Sequence, residues 1–310
     1  MTMLEVRDLR KSFPIKRNLL GRTVQSFDAV KGVSFDLPAG STLGIVGETG
    51  AGKSTVGRMV LRLIEPDSGT VMFNGTDVRA LDREALRKVR RHMQMIFQDP
   101  FSSLDPRMVI ADTVGEPLTI FDGLKGEERT ERVVDLLERV GLGRHQLERY
   151  PREFSGGQLQ RVAIARALAT GPDLIVCDEP VAALDVSIQA QVLNLLIDLQ
   201  RERQLSYLFI SHDLSLVRRF AHRVAVMRHG EIVEEGESDA VFEDPQHPYT
   251  KELASAMPVA KPRRKQRRAA RLATGPNTTE LEAPVEMAVS TEMSPPTDLT
   301  VPTEGEDLIT

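Results

Sequence analysis

Residues 42–60 read TLGIVGETGAGKSTVGRMV, and they decide the fold class. TLGIVG (42–47) is a short β-rich run ending in glycine, and KSTVGRMVLRLI (53–64) reads as a helix. Between them Gly47-Glu48-Thr49-Gly50-Ala51-Gly52-Lys53-Ser54, followed by Thr55, fits G-x-x-x-x-G-K-[ST] in the strand–turn–helix setting that the pattern requires. Glycines let the backbone close around a phosphate, and the free N–H groups at a helix start favour an anion. Lys53 is placed to contact β- and γ-phosphates, and the Ser54 hydroxyl to ligate Mg²⁺. The stretch predicts a nucleoside triphosphate site. Its plain alternative is a chance glycine-rich turn, against which the flanking strand and helix both argue.

Outward from this loop, strand-like and helix-like runs alternate. VMFNG (71–75), MQMIF (93–97), DLIVCD (173–178), YLFISH (207–212) and RVAVM (223–227) read as strands. EERTERVVDLLERVGL (127–142), GGQLQRVAIARALA (156–169) and VSIQAQVLNLLIDLQRE (186–202) read as helices. The alternation predicts an α/β fold on a mainly parallel sheet, with residues 108–170 as an inserted helical subdomain.

LIVCDEP (174–180) completes the phosphate site. Four apolar residues make a buried strand that delivers Asp178 and Glu179 to its carboxyl end, where α/β sheets bind ligands. Asp178 is expected to hold Mg²⁺ through water, and Glu179 to polarise an attacking water. Taken alone, two acids after a strand fit a helix cap or an ion pair equally well.

Composition narrows the class. The 310 residues are 41% hydrophobic and 27% charged, which argues against a chain disordered throughout. No apolar run exceeds four residues, so no segment is expected to span a bilayer. MTMLEVRDLRKSF lacks the apolar stretch of a signal peptide, which makes a cytosolic location the expectation. The single cysteine, Cys177, excludes an internal disulfide and a cysteine-built zinc site or iron–sulfur cluster.

The net charge of -5 is unevenly spread. Residues 273–310 hold eight acids and no base, and KPRRKQRRAARL (261–272) holds seven bases and no acid. This polar, proline-rich stretch cannot bury enough apolar surface to offset its ordering, so 261–310 reads as a disordered tail. Its basic run is open to three readings: a solvated hinge, contact with anionic lipid headgroups, or nucleic acid.

One further motif names a family. Phe154-Ser155-Gly156-Gly157-Gln158 opens the helix LQRVAIARAL, and Ser155 lies 23 residues before Asp178. FSGGQ resembles the LSGGQ signature of ATP-binding-cassette (ABC) ATPases. Gln98 in MIFQDP matches that family's Q-loop, Ala183-Leu184-Asp185 its D-loop, and His212 in ISHD its switch histidine. Phe13 falls where the family stacks an aromatic ring on adenine. Alone, Phe13 and His212 would read as core residues.

The resemblance implies a P-loop NTPase (RecA-like) core with an N-terminal antiparallel β subdomain. It covers residues 3–258, with the ATPase domain at 1–245 and a C-terminal extension at 246–260. FQDPFSSLDPR (97–107), VSIQAQVLNLL (186–196) and FEDPQHPYTKELASAMP (242–258) look like the oligopeptide/dipeptide import branch, HPYT (247–250) most of all. FSGGQLQRVAIARAL and ALDVSIQAQ look closer to that system's F-type ATPase subunit than to its D-type partner. D-type subunits can carry a C-terminal cysteine cluster, which one Cys rules out here. Leu159 and Ala182 depart from the family pattern, which has a longer, often charged residue at the first position and Ser or Thr at the second.

By resemblance, ATP and Mg²⁺ sit between two cassettes that meet head to tail. Ser155, Gly156, Gly157, Gln158 and Asp185 then complete the partner's site, while Glu179, Gln98 and His212 serve their own. Expected partners are a second ATPase subunit, D-type or a second copy, two transmembrane permease subunits, and indirectly an extracytoplasmic substrate-binding protein. The expected place is the cytoplasmic face of the membrane. The expected cargo is peptide, with nickel chelates, glutathione and sugars as related alternatives. A nucleic-acid-linked ATPase of the superfamily is the competing class. Ser155 lies 102 residues after Lys53, which leaves no room for the coiled coil such proteins usually carry, so no nucleic-acid partner is expected. A catalytically silent cassette is a third class, against which the intact motif residues argue.

Overall fold

The computed structural model describes residues 2–17 and 23–256. From the amino end, β1 (Thr2–Arg17) and β2 (Thr23–Pro38) form an antiparallel ribbon. β3 (Thr42–Val46) leads into α1 (Lys53–Val60), after which β4 (Ser68–Phe73) and β5 (Thr76–Asp77) return to the ribbon. α2 (Arg83–Arg90) feeds β6 (Met93–Ile96). Four helices follow: α3 (Pro100–Ser103), α4 (Ile110–Pro117), α5 (Gly126–Arg139) and α6 (Gly156–Leu168). Then come β7 (Leu174–Asp178), α7 (Val186–Arg203), β8 (Ser206–Ser211), α8 (Leu214–Phe220), β9 (Arg223–Arg228) and β10 (Glu231–Glu237). α9 (Ser238–Glu243) and α10 (Pro248–Ser255) end the described part.

Two sheets result. The first is antiparallel, in the order β2-β1-β4-β5. The second runs β10-β9-β3-β8-β7-β6 and is parallel except for the β9–β10 hairpin. Its central strands read as unbroken apolar runs because both faces are covered. Alternate residues enter opposite cores: Leu174, Val176, Leu208 and Ile210 pack with α1 and the β1–β2 ribbon, whereas Ile175, Cys177, Tyr207 and Phe209 pack with α4–α8. β6 and β7 are neighbours in this sheet, so the helices at 110–168 form one long crossover between adjacent parallel strands. The α/β class, the antiparallel N-terminal sheet and the helical insertion all stand as expected.

Local departures have local causes. The helix expected over 53–64 ends at Val60. Arg62 turns left-handed (φ 52°) and the Leu63 N–H donates to Arg58 O at 2.8 Å, which closes the last turn. The strand expected at 71–75 instead spans Ser68–Phe73, because Asn74 and Gly75 both take positive φ (47° and 77°) and make the β4–β5 turn. The tail expectation for 261–310 lies outside the described residues.

Candidate nucleotide site

Four neighbouring parallel strands deliver the site. Val46 of β3 pairs with Ser211 of β8, Ile210 of β8 with Asp178 of β7, and Cys177 of β7 with Ile96 of β6. This register brings the strand ends together, so Gly47, His212, Glu179 and Gln98 all leave the sheet on its carboxyl edge. A cavity of about 410 Å³ opens there, lined by Thr49, Gly50, Gly52, Lys53, Ser54 and Thr55 of the loop. Gln98, Glu179, His212, Phe13, Phe27 and Ala29 form its remaining walls.

Gly52 precedes α1 with φ 101°, and a Cβ there would lie 2.3 Å from Ala29 O, so only glycine fits this approach. No side chain caps the helix, which leaves its first N–H groups to whatever enters the cavity. Lys53 is 4% exposed, and its Nζ donates to Gly47 O (2.7 Å) and Glu48 O (2.8 Å). Burial holds its ammonium below the ordinary lysine range, while the carboxylates of Glu179, Asp178 and Glu48 pull the other way.

Asp178 is 1% exposed. Its Oδ1 accepts from the Ser54 hydroxyl at 2.6 Å, and Arg58 stands 3.7 Å from Oδ2. Burial pushes this carboxyl up, against the Ser54 hydrogen bond and the Arg58 charge. A hydroxyl beside a buried carboxylate is a hard oxygen pair of the kind Mg²⁺ selects, and its desolvation is the cost a divalent cation would offset. The residues therefore fit that ion.

Glu179, the next residue, is held differently. It takes a left-handed backbone (φ 49°), rare outside glycine and characteristic of strained functional positions. Its N–H donates to Ile210 O at 2.9 Å, which pins that conformation. The carboxylate lies between two partners: His212 Nδ1 is 3.1 Å from Oε1, and Gln98 Nε2 donates to Oε2 at 2.9 Å. Both oxygens are thereby held by partners that line the same cavity.

The signature residues lie elsewhere. None of Ser155, Gly156, Gly157 and Gln158 lines the cavity, and neither does Asp185. Ser155 caps α6: its hydroxyl accepts from Gln158 N–H, while Gln158 Oε1 accepts from Ser155 N–H at 3.0 Å. A Cβ on Gly157 would lie 2.5 Å from Ile188 Cγ2, so this glycine lets α6 and α7 approach. Asp185 is exposed at the start of α7. Leu159 is fully buried, which accounts for an apolar residue there.

Two residues at this site escaped the sequence reading. Phe27 pairs directly with Phe13 across the β1–β2 ribbon, and both rings are exposed on the cavity wall. Only the ribbon's register reveals that pairing. Arg58 carries no motif of its own; its place one turn after Ser54 on α1 sets it beside Asp178.

Known proteins resemble this chain in sequence and fold. A family model described as "ABC transporter" matches residues 30–182, and one described as "Oligopeptide/dipeptide transporter, C-terminal region" matches residues 233–283. A dimeric structure of the ATP-binding cassette MJ0796, in a post-hydrolysis state with ADP and Pi, is 30% identical. That match covers 76% of this chain and 99% of the other, with a TM-score of 0.68. The chain belongs to the ABC transporter family. The cassette also matches cbiO1 of Clostridium perfringens, part of the transporter complex cbiONQ, at 28% identity over 78% of this chain and 91% of that one (TM-score 0.67). Glutathione import ATP-binding proteins GsiA of Escherichia coli and Shigella flexneri are 54% identical over 262 residues, 84% of this chain. The cassette spans 42% of the length of those curated relatives. Among the described residues, no helix is long and apolar enough to cross a membrane.

Proposed function

We propose that this cassette is the ATP-hydrolysing subunit of an importer whose membrane spans belong to other chains. The observation that carries the reading is the Glu179 carboxylate, held between His212 and Gln98 beside a phosphate loop. In that position Glu179 takes the proton of a water aligned on the γ-phosphate, and His212 and Gln98 keep its two oxygens in place. Lys53 binds the β- and γ-phosphates, with the N–H groups of Gly50, Ala51, Gly52, Ser54 and Thr55 around them. Phe13 and Phe27 offer ring faces to adenine. Ser54, Asp178 and Gln98 would hold Mg²⁺, which when bound neutralises developing charge on the phosphates.

Ser155, Gly156, Gly157, Gln158 and Asp185 act in a second cassette's site, and the partner is a D-type subunit or a second copy. A second cavity of about 280 Å³ begins one residue from Gln98, and the exposed apolar side chains of Leu63, Phe97 and Ile120 line it. We assign it to the permeases, so that nucleotide-driven movement at Gln98 reaches the membrane subunits. On this reading the cassette works at the cytoplasmic face of a membrane, with a substrate-binding protein on the far side and no nucleic-acid partner.

The cargo is peptidic. The C-terminal match at 233–283 supports oligopeptides or dipeptides, and the GsiA relatives support glutathione, itself a tripeptide. Nickel chelates and sugars are the alternatives. The test is ATP turnover by the cassette copurified with its permeases in proteoliposomes, with and without the binding protein loaded with peptides, glutathione, a nickel chelate or a sugar. Stimulation by a peptide or glutathione is expected. Stimulation only by nickel chelate or sugar would overturn the cargo, and absence of any turnover would overturn the ATPase role.

A further inference from the structure

HPYT at 247–250 marks a subfamily in the sequence, and the functional reading above uses none of its side chains. In the structure it begins α10, and Tyr249 is 2% exposed. The Tyr249 hydroxyl accepts a hydrogen bond from the Glu48 N–H at 3.1 Å, across 201 residues of chain. Glu48 is the second residue of the phosphate loop. The carbonyl of the same peptide unit, Gly47 O, is one of the two oxygens that hold Lys53 Nζ, at 2.7 Å. A peptide unit is planar, so fixing its N–H fixes the direction of its C=O. One peptide is thus gripped at both ends, by Tyr249 on one side and by Lys53 on the other.

The grip is itself braced. The Gln246 and His247 N–H groups donate to the two oxygens of Glu234 on β10, at 2.8 and 2.9 Å. His247 Nδ1 accepts from the Tyr249 N–H at 3.2 Å and caps α10. The Arg228 guanidinium lies 4.7 Å from the centre of the Tyr249 ring. The segment 246–249 is therefore anchored at its start to the sheet and at Tyr249 to the loop.

We infer that Tyr249 is a positioning residue for Lys53: its hydroxyl sets the plane of the Gly47–Glu48 peptide and ties the C-terminal helix to the loop's affinity for nucleoside triphosphate. The inference rests on the reading that this loop binds ATP. Tyr249→Phe keeps the ring and its packing and removes only the acceptor. ATP affinity falls about threefold to tenfold, the range for one net hydrogen bond. Coupling is reciprocal, so bound nucleotide in turn disfavours the open state of α10.

Both effects are measurable on the full chain with a non-hydrolysable ATP analogue. Titration gives the affinity, and hydrogen–deuterium exchange reports residues 248–255 with and without the analogue. The wild type is expected to bind and to gain protection over α10. Tyr249→Phe is expected to bind more weakly and to lose that gain, with its nucleotide-free unfolding temperature close to wild type. Wild-type affinity in Tyr249→Phe overturns the inference, whatever its stability. Should Tyr249→Phe fail to fold, Glu234→Gln loosens the same strap from its other end and is expected to weaken binding; unchanged affinity there overturns it too. Lys53→Ala separates the two levels. A wild type that binds no better than Lys53→Ala sinks the nucleotide reading and this inference with it, whereas a clear gap between them with Tyr249→Phe at the wild-type value sinks the inference alone.

Discussion

Two glycine-rich turns in this molecule each open a helix, and they are finished in opposite ways. The turn before α1 ends in Gly52, has no side-chain cap, and faces a cavity walled by Lys53, Gln98, Glu179 and His212. The turn before α6 is closed by its own side chains, Ser155 and Gln158 bonding reciprocally, and stands exposed outside that cavity. An open helix end surrounded by a buried cation and carboxylates is a binding site in a single chain. A self-capped end is stable without a ligand and gains one only from another surface. The contrast accords with a half-site architecture, in which the loop binds nucleotide alone and the signature acts in an assembly.

Substitutions at the two turns sharpen or break this contrast. Glu179→Gln has the largest expected effect: phosphate release by the assembled transporter falls at least about 100-fold, the scale of a lost general base, while analogue affinity is retained. Near-normal turnover would reject Glu179 as the base. Lys53→Ala comes next, with analogue affinity on the single chain reduced about 10- to 100-fold for loss of a charge-assisted contact. Unchanged affinity would remove Lys53 from the phosphate site and erase the difference between the turns.

Asp178→Asn is expected to abolish the Mg²⁺ dependence of analogue binding. The same variant should unfold no earlier than wild type at neutral pH without nucleotide. Burial raises this carboxyl's pKa, so the folded state binds the extra proton and stability falls as pH rises from the ordinary aspartate value through the raised one. Asparagine removes that loss; a marked drop in unfolding temperature would instead make Asp178 a structural ion-pair partner of Arg58. Phe27→Ala should weaken ATP binding about threefold to tenfold, the scale of one aromatic contact, and tripolyphosphate binding not at all. An equal loss for both would take Phe27 off the adenine wall.

Ser155→Ala is the smallest effect on the single chain. Analogue affinity is expected to stay at the wild-type value, while loss of the cap lowers stability by about 1 kcal/mol. Loss of affinity in the isolated chain would contradict the contrast directly.

Much of this was legible in the sequence because it is local. A phosphate loop is a strand, a turn and a helix in consecutive residues, and 174–178 announces a strand ending in Asp178 by its apolar run alone. Phe27 was not legible: its partner Phe13 is set by a two-stranded register, and nothing in the surrounding residues marks that ring as wall rather than core. Tyr249 was legible as part of a motif but not as a contact, since its partner is 201 residues away. The end of α1 at Val60 was not legible because LRLI continues the apolar pattern, while the left-handed turn at Arg62 is a matter of backbone closure.

By itself the sequence determined which chemical groups are present and where the strands leading to the phosphate loop and to Asp178 end. Those features follow from neighbouring residues, through side-chain periodicity and glycine's freedom at a tight turn. Tertiary structure alone decided the order β10-β9-β3-β8-β7-β6, and with it the meeting of Gln98, Glu179, His212 and the phosphate loop at one edge. It also decided that Glu179 stands in a strained conformation between two partners and that Tyr249 holds a peptide of the loop. The reason is range: hydrogen-bonded register and packing join residues far apart in the chain, and short-range patterns carry no record of that pairing.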